Sequence, residues 1–461
     1  MPVKKEEPAQ CLNYRNKLIL APMVRVGTLP MRLLALEMGA DIVYTEELID
    51  LKLIKSIRRV NPALGTVDFV DPSDGTIVFR TCALEKSQLV LQMGTSDAAR
   101  ALAVGKLVQQ DIAGLDINMG CPKEFSIKGG MGAALLSQPE KAAHILRNLC
   151  TNLDIPVTCK IRILPQVEDT IQLVRQLAAT GIAAIGIHAR TQAERPQHQP
   201  HPDVLRAVAD AVDIPIIANG GSRDMHAYED LYKFQRECGA DSVMVARAAQ
   251  INVSIFRKEG SLPMDEIIYK YLRLCVDYDN AAHNTKYCVQ NILKELQESP
   301  RGKQFLQCQT LQQMCELWQL GDYCKRKQRE LKAKGNLGRH DVVPGSNLAK
   351  RARLEGNEDA YAGVMQRNVA FLRSTYASDN ELPKTVLYVH AGREGNETPT
   401  YETQRCDKLF RAICSYDGQR YSSSFWEKNK KQAEQGAALV ALLELGIVQE
   451  TILCENGSLI S

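Results

Sequence analysis
The strongest constraint on this chain is an alternation between Lys17 and Ala249 of short apolar runs and amphipathic stretches of helical period. The runs are KLILAPM, DIVYTEEL, LVLQMG, GLDINMG, PVTCKIRI, AAIGIHAR, PIIANGG and SVMVARAA. Segments rich in Val, Ile and Leu with little polar alternation read as strands buried on both faces, the pattern of a parallel sheet covered by helices. VEDTIQLVRQLAATG and HPDVLRAVADAV are among the stretches that supply those helices. Eight strands with helical crossovers predict a (β/α)8 TIM barrel. A doubly wound sheet is the rival, with a lower ordinary strand count. One segment breaks the rhythm: TVDFV and GTIVFRT, within Thr66 to Thr81, predict an inserted β-hairpin.

A chain of 461 residues exceeds one barrel, so further domains are expected. MDEIIYKYLRLCVDY and TKYCVQNILKELQ have helical spacing and predict a small helical bundle. Between Lys325 and Arg353 there are ten Lys and Arg residues, opposed only by Glu330 and Asp341. With Gly and Pro interspersed, that stretch reads as a disordered linker, as consistent with a solvated tether as with a binding segment. Apolar pattern returns from Gly363 to Ile447. LPKTVLYVHAGREG predicts a short helix, and PTYETQR, KLFRAICSYDG and QRYSSSFW an antiparallel meander turning at Asp417-Gly418. EKNKKQAEQGAALVALLELG predicts an amphipathic helix with Lys428, Lys430 and Lys431 in its first turns. Positive charge there opposes the helix dipole, which a bound anion would explain. The expected domains are a barrel over 12–255, a helical domain over 256–324, a basic linker over 325–360 and an α+β domain over 361–450.

Fourteen cysteines lie scattered with no CxxC, which argues against a disulfide framework or zinc ribbon and for a reducing compartment. MPVKKEEPAQC has no apolar core, so it is expected not to be a secretory signal. No apolar run reaches the length of a membrane span. A cytoplasmic or nuclear protein that keeps off membranes is therefore expected. His198 and His201 have the spacing of a metal pair but sit among prolines with no neighbouring Cys, so no metal is expected.

Barrel chemistry sits at the C-terminal strand ends. There the sequence offers Ala21-Pro22-Met23, Gln92, Asn118, Lys160, His188 with Arg190, Asn219-Gly220-Gly221 and Ala246-Arg247. So varied a polar set on otherwise apolar strands predicts a lined pocket. The last two motifs follow strands 7 and 8, where barrels commonly hold a phosphate on backbone N–H groups. No P-loop and no GxGxxG after a strand is present. A phosphate site joined by an amide, an amine and an imidazole suits flavin mononucleotide, FMN. Cys121 follows strand 4 in NMGCP, ahead of Gly129, Gly130 and Gly132. A lone Cys is most often a small buried hydrophobe, but a thiol protonated at neutral pH could also donate a proton there.

NMGCP, KGGMGAALL, CKIR, IHAR, ANGG and MVARAA, in that order over residues 17–330, resemble the motifs of the tRNA-dihydrouridine synthases. With the C-terminal segment, the chain is similar to the eukaryotic position-20 type, which carries a double-stranded-RNA-binding domain. The resemblance implies an FMN barrel, a helical domain bounding the tRNA cleft, and NADPH as reductant. It implies hydride addition to C6 of a uracil in the tRNA D-loop, with Cys121 as proton donor to C5 and the loop glycines as a gate that admits the acid once RNA is seated. Ala21, Pro22, Met23, Gln92, Lys160, His188, Asn219, Gly220, Gly221, Ala246 and Arg247 match flavin-contacting positions. Asn118 and Arg190 match positions near the uracil and the RNA. In the C-terminal domain Lys428, Lys430, Lys431 and Arg420, with Arg367 and Arg373 upstream, are the expected phosphate contacts. Arg405-Cys406-Asp407-Lys408 stands where that domain family has a Gly-Pro-x-His turn, and the first helix lacks its usual polar acceptors. A monomer is expected. Two alternatives are a flavoprotein that reduces a small pyrimidine and a non-catalytic RNA-binding regulator on a retired barrel.

Overall fold
The computed structural model describes residues 12–335 and 361–459, apart from Asp74, Pro196, Asp407, Lys408, Lys428 and Gly457. The apolar runs form β1 (Leu18–Leu20), β2 (Ile42–Tyr44), β3 (Leu89–Gly94) and β4 (Gly114–Met119). They continue with β5 (Val157–Arg162), β6 (Ala184–His188), β7 (Ile216–Asn219) and β8 (Ser242–Val245). All eight pair in parallel, β1 joins β8, and the pairing of β2 with β3 closes the barrel. Tyr14, Ile19, Ile42, Val90, Ile217 and Met244 fill its interior as one buried cluster. The outer helices obey the period read from the sequence. Val167–Ala178 buries Thr170, Leu173, Val174 and Leu177, and burying each of those Leu and Val side chains contributes about 1.5–3 kcal/mol.

The insertion has three strands rather than two: Ile57–Asn61, Thr66–Val70 and Ile77–Cys82, antiparallel throughout. Ile57–Asn61 is an edge strand whose first four residues reach solvent, so it carries no apolar signature of a core strand. Buried ion pairs fix the insertion. Arg32, on the helix Leu29–Glu37, donates to Glu85 through Nε (2.8 Å) and Nη2 (2.6 Å). The same guanidinium reaches the carbonyls of Gly27 and Arg80. Arg80 in turn donates to Asp68 at 2.6 and 2.9 Å.

The chain divides into two compact units. The first runs to Asn280 and takes in residues from Arg326. Its helix Met264–Asp277 packs with Leu274, and the following Tyr278, near Leu29, Leu33 and Cys82. The second comprises Ala281 to Lys325 and the C-terminal domain, so the boundary falls inside the segment expected as one helical domain. The helices Ala282–Leu293, Pro300–Gln307 and Leu311–Glu316 belong to it. Gly321–Ala333 is helical, although the sequence reading starts a disordered linker at 325. Its Lys, Arg, Glu, Leu and Ala residues are good helix formers without a clean apolar stripe. Residues 336–360 of that linker lie outside the described residues.

The C-terminal domain has the helix Pro383–Glu394, then β10 (Thr400–Cys406), β11 (Leu409–Tyr416) and β12 (Gln419–Ser423) as an antiparallel meander, then the helix Lys430–Glu444. Asp417 (φ 50°) and Gly418 (φ 69°) make the tight turn. An additional strand, β9 (Val364–Arg367), lies parallel to β12. Leu387, Ala391, Ala412, Ala437 and Val440 are in its core. Lys303, on Pro300–Gln307, forms a buried ion pair with Glu427 and donates to the Phe371 carbonyl at 2.9 Å.

Candidate active site
Register brings the polar strand-end residues to one rim. Asn118 on β4 pairs with Lys160 on β5, and His188 on β6 pairs with Arg162 and with Asn219 on β7. Gln92 donates Nε2–H to Asp116 at 2.9 Å, and Thr158 donates to the other oxygen of that carboxylate at 2.7 Å. Complete burial raises the Asp116 pKa to about 6, against those two hydrogen bonds. Asn219 donates Nδ2–H to the Met244 carbonyl at 2.9 Å, joining β7 to β8.

Positive charge collects around His188. Burial, with Lys160, Arg162, Arg190 and Arg247 adding to it, holds its pKa down to about 2. The imidazole is therefore neutral. Burial and Arg162 likewise lower Lys160 to about 8, with Asp116 opposing. Four cations around one neutral ring form a rim suited to an anion. Gly220, at φ +126°, completes it: a Cβ there would lie 3.0 Å from His188 Cδ2. Ala21 anchors its strand end by donating N–H to the Val245 carbonyl, and Met23 accepts the turn N–H groups of Val26 and Gly27. The Ala246 N–H donates to Ser222 Oγ at 3.3 Å, and Arg247 is exposed.

Cys121 sits at the same rim. Asn118 Oδ1 accepts the N–H groups of Gly120 (3.0 Å) and Cys121 (3.2 Å). Arg162 donates to the carbonyls of Gly120 (2.8 Å) and Thr191 (2.9 Å), bracing the loop from the next strand. Burial, foremost, and the Glu47 charge raise the thiol pKa, so Cys121 is a thiol at neutral pH. The loop beyond it is ordered, with the helix Glu124–Lys128 and a 3-10 turn over Gly132–Ser137. Ala133 N–H donates to the Cys121 carbonyl at 3.0 Å. Of its three glycines Gly132 is the one packed against Cys121, where an added Cβ would lie 2.7 Å from the Cys121 carbonyl oxygen. A cavity of about 790 Å³ borders the loop, with Pro122, Ile127, Leu164, Pro165, Thr191 and Arg195 among its walls.

Other predicted positions fall differently. Arg190, expected near the RNA, is only 4% exposed. It donates to the carbonyls of Gly220 (2.8 Å) and His198 (2.9 Å) and lies 3.2 Å from His188 Nε2. It is a brace, because those acceptors draw its guanidinium inward. His198 Nδ1 accepts the Arg195 N–H, and His201 pairs with Glu194 at 2.8 Å. Among the described residues no group of three or more His, Cys, Asp or Glu could hold a metal. In the C-terminal domain Lys430 and Lys431 stand exposed at a helix start capped by Asn429. Arg367 pairs with Glu444 (2.5 Å) and Arg373 with Asp379 (2.8 Å), while Arg420 lies 4.0 Å from Glu402. Lys428 lies outside the described residues. The sequence reading missed Glu47, Asp116 and Arg162 as site residues. Arg162, two residues after Lys160 on one strand, shares its face, so period two could have found it.

A family described as dihydrouridine synthase (Dus) matches residues 19–351, and a double-stranded RNA binding motif matches 383–445. A tRNA-dihydrouridine(20) synthase [NAD(P)+] of Schizosaccharomyces pombe is 40% identical over 293 residues, covering 61% of this chain and 60% of that protein. The matched stretch is therefore less than two thirds of that relative's length. The Saccharomyces cerevisiae protein of the same description is 38% identical over 301 residues, covering 61% of this chain and 78% of its own length. A crystal structure of a tRNA-dihydrouridine(20) synthase dsRBD domain is 42% identical, covering 18% of this chain and 90% of that one, with a TM-score of 0.18.

Proposed function
Because the chain belongs to the dihydrouridine synthase family, we propose that it reduces a uridine of tRNA to 5,6-dihydrouridine, at position 20 by analogy with the tRNA-dihydrouridine(20) synthases it resembles. The observation that carries the reading is the placement of Cys121 on the barrel rim that also bears Lys160, Arg162 and His188, with its backbone N–H held by Asn118 and the preceding carbonyl by Arg162.

The rim fits FMN by the chemistry of its donors. Gly220-Gly221 and Ala246-Arg247 would hold the phosphate, with Arg247 adding charge. Met23, Gln92, Lys160, His188 and Asn219 would bound the ring system. Bound there, FMN supplies the hydride that adds to C6 of the uracil, and NADPH restores it. The rest is the work of this chain. Lys160 and Arg162 offer positive charge where negative charge grows. Gln92 is held by Asp116, which fixes the direction of its amide. Hydride addition to a C5=C6 bond conjugated to a carbonyl leaves an enolate, and Cys121 gives it a proton at C5. Asn118 and Arg162 keep that thiol at the rim by holding the N–H and the C=O of the Gly120–Cys121 peptide.

The double-stranded-RNA-binding domain is the element we assign to tRNA, with Lys430 and Lys431 contacting phosphates. The cytoplasm, where the thiol stays reduced, is the proposed location. The test is to incubate the purified, flavin-loaded protein with NADPH and tRNA lacking dihydrouridine. Mass spectrometry should find a gain of two hydrogens on one D-loop uridine, and unaltered tRNA would overturn the proposal.

A further inference from the structure
One inward-facing carboxyl group has no task in that chemistry. Glu47 lies in the Thr45-Glu46-Glu47 turn after β2, and its carboxyl group interacts with the Asn118 amide and the Cys121 thiol. Its Oε1 is sealed from solvent and makes no close hydrogen bond, an arrangement native interiors seldom keep without a use. Gly94 gives it room: a Cβ there would stand 2.7 Å from Glu47 Oε1, so any larger residue would displace the carboxyl group. Asn118 ties carboxyl and thiol together. Its Oδ1 is engaged by the N–H groups of Gly120 and Cys121, so its Nδ2–H is the donor left for Glu47.

The groups that act on the Cys121 sulfur come from three elements. Lys123, on its own loop, favours the thiolate. Lys160 and Arg162, on β5, interact with the sulfur as cations and favour the thiolate as well. Ser126 offers a hydroxyl. Glu47, from the β2 turn, is the acidic group whose charge raises the Cys121 pKa; burial raises its own pKa above the usual carboxylate value, while Asn118, the Cys121 side chain and Lys123 oppose that rise. A thiolate cannot give a proton, so the cations that suit an anionic cofactor work against the acid beside them.

We propose that Glu47 is the positioning residue of Cys121: its negative charge beside the sulfur offsets Lys123, Lys160 and Arg162 and keeps Cys121 in the thiol form the reaction consumes. The inference rests on the reading of Cys121 as proton donor. In the step it serves, the S–H bond breaks, a C5–H bond forms, and the electron pair stays on sulfur. The thiolate, again beside the Glu47 carboxylate, regains a proton from water before the next substrate.

The experiment uses the flavin-loaded protein and its Glu47→Gln and Glu47→Asp variants. The alkylation rate of Cys121 by iodoacetamide is followed against pH by peptide mass spectrometry, and dihydrouridine formation is followed over the same range. Removing the charge should let the thiolate form about one pH unit lower, so alkylation at neutral pH rises about tenfold. The falling limb of activity should move down by the same step, with Glu47→Asp close to wild type. A purely structural role would not move the thiol titration. Gly94→Ala, whose Cβ would displace the Glu47 carboxyl group, should move both profiles together and serves if Glu47→Gln does not fold. Wild-type alkylation and activity profiles in the folded variants would overturn the inference. Cys121→Ala reports on the donor reading separately: full activity there would reject the thiol as acid, while the alkylation shift would still read whether Glu47 acts on the sulfur.

Discussion

Replacing Gly132 by Ala tests whether the loop after Cys121 is a rigid seat for the thiol. Gly132 has φ +56°, and an added Cβ would collide with Ser126 Oγ and lie 2.7 Å from the Cys121 carbonyl oxygen and 3.0 Å from Cys121 Cβ. Ser126 can rotate its hydroxyl aside, but the backbone carbonyl cannot move without its hydrogen bond from Ala133 N–H. A left-handed conformation costs a non-glycine residue about 1–2 kcal/mol, and overpacking adds about 1–3 kcal/mol. The relief available is to shift Cys121, and misplacing a reacting group by about 1 Å can cost about 100-fold in rate. Gly132→Ala should therefore form dihydrouridine about 10- to 100-fold more slowly in single-turnover assays while keeping its flavin, because the loop lies apart from the proposed phosphate seat. Wild-type turnover with an unchanged melting temperature would refute the argument that this loop fixes the acid.

Glu85→Gln leaves Arg32 buried without its counter-charge, both side chains being at most 2% exposed. It should lower barrel stability by about 3–5 kcal/mol, visible as an earlier calorimetric transition. His188 is held neutral, with a folded pKa near 2 against about 6.5 when unfolded. Its contribution is complete above pH 6.5 and is lost as pH falls towards 2, since the unfolded chain binds the proton first; at pH 5 the loss is about 2 kcal/mol. His188→Gln should flatten that part of the stability profile in pH-dependent denaturation. Lys430→Ala with Lys431→Ala should weaken tRNA binding and lower the slope of log affinity against log salt by about two, read from titrations at several salt concentrations.

The barrel was legible because each of its strands is buried on both faces, which leaves runs such as GLDINM and AIGIH with little polar interruption. Ile57–Asn61 was not, because an edge strand with Ile57, Arg59 and Val60 exposed and Arg58 turned to Asp111 has no such run. The short β9, Val364–Arg367, with Met365, Gln366 and Arg367 all exposed, escaped for the same reason. Gly321–Ala333 hid in a charge-rich stretch, where helix propensity persists without an apolar stripe. At the site, strand ends pointed to Gln92, Asn118, Lys160, His188 and Asn219, and the structure brings these to one rim. Whether a strand-end side chain faces the rim or braces it depends on its acceptors. Carbonyls from Gly220 and His198, far apart in sequence, turn Arg190 inward. Glu47 was missed because its task is set by Cys121, 74 positions along the chain, which only the closed barrel brings within reach.

The central claim is that Cys121 supplies the proton in tRNA uridine reduction. Wild type and Cys121→Ala, both flavin-loaded, should be given NADPH and tRNA lacking dihydrouridine, and the product counted by mass spectrometry over time. The account predicts steady dihydrouridine formation by the wild type and a loss of at least about 100-fold in the variant, with flavin content unchanged. A variant that keeps pace with the wild type would contradict it.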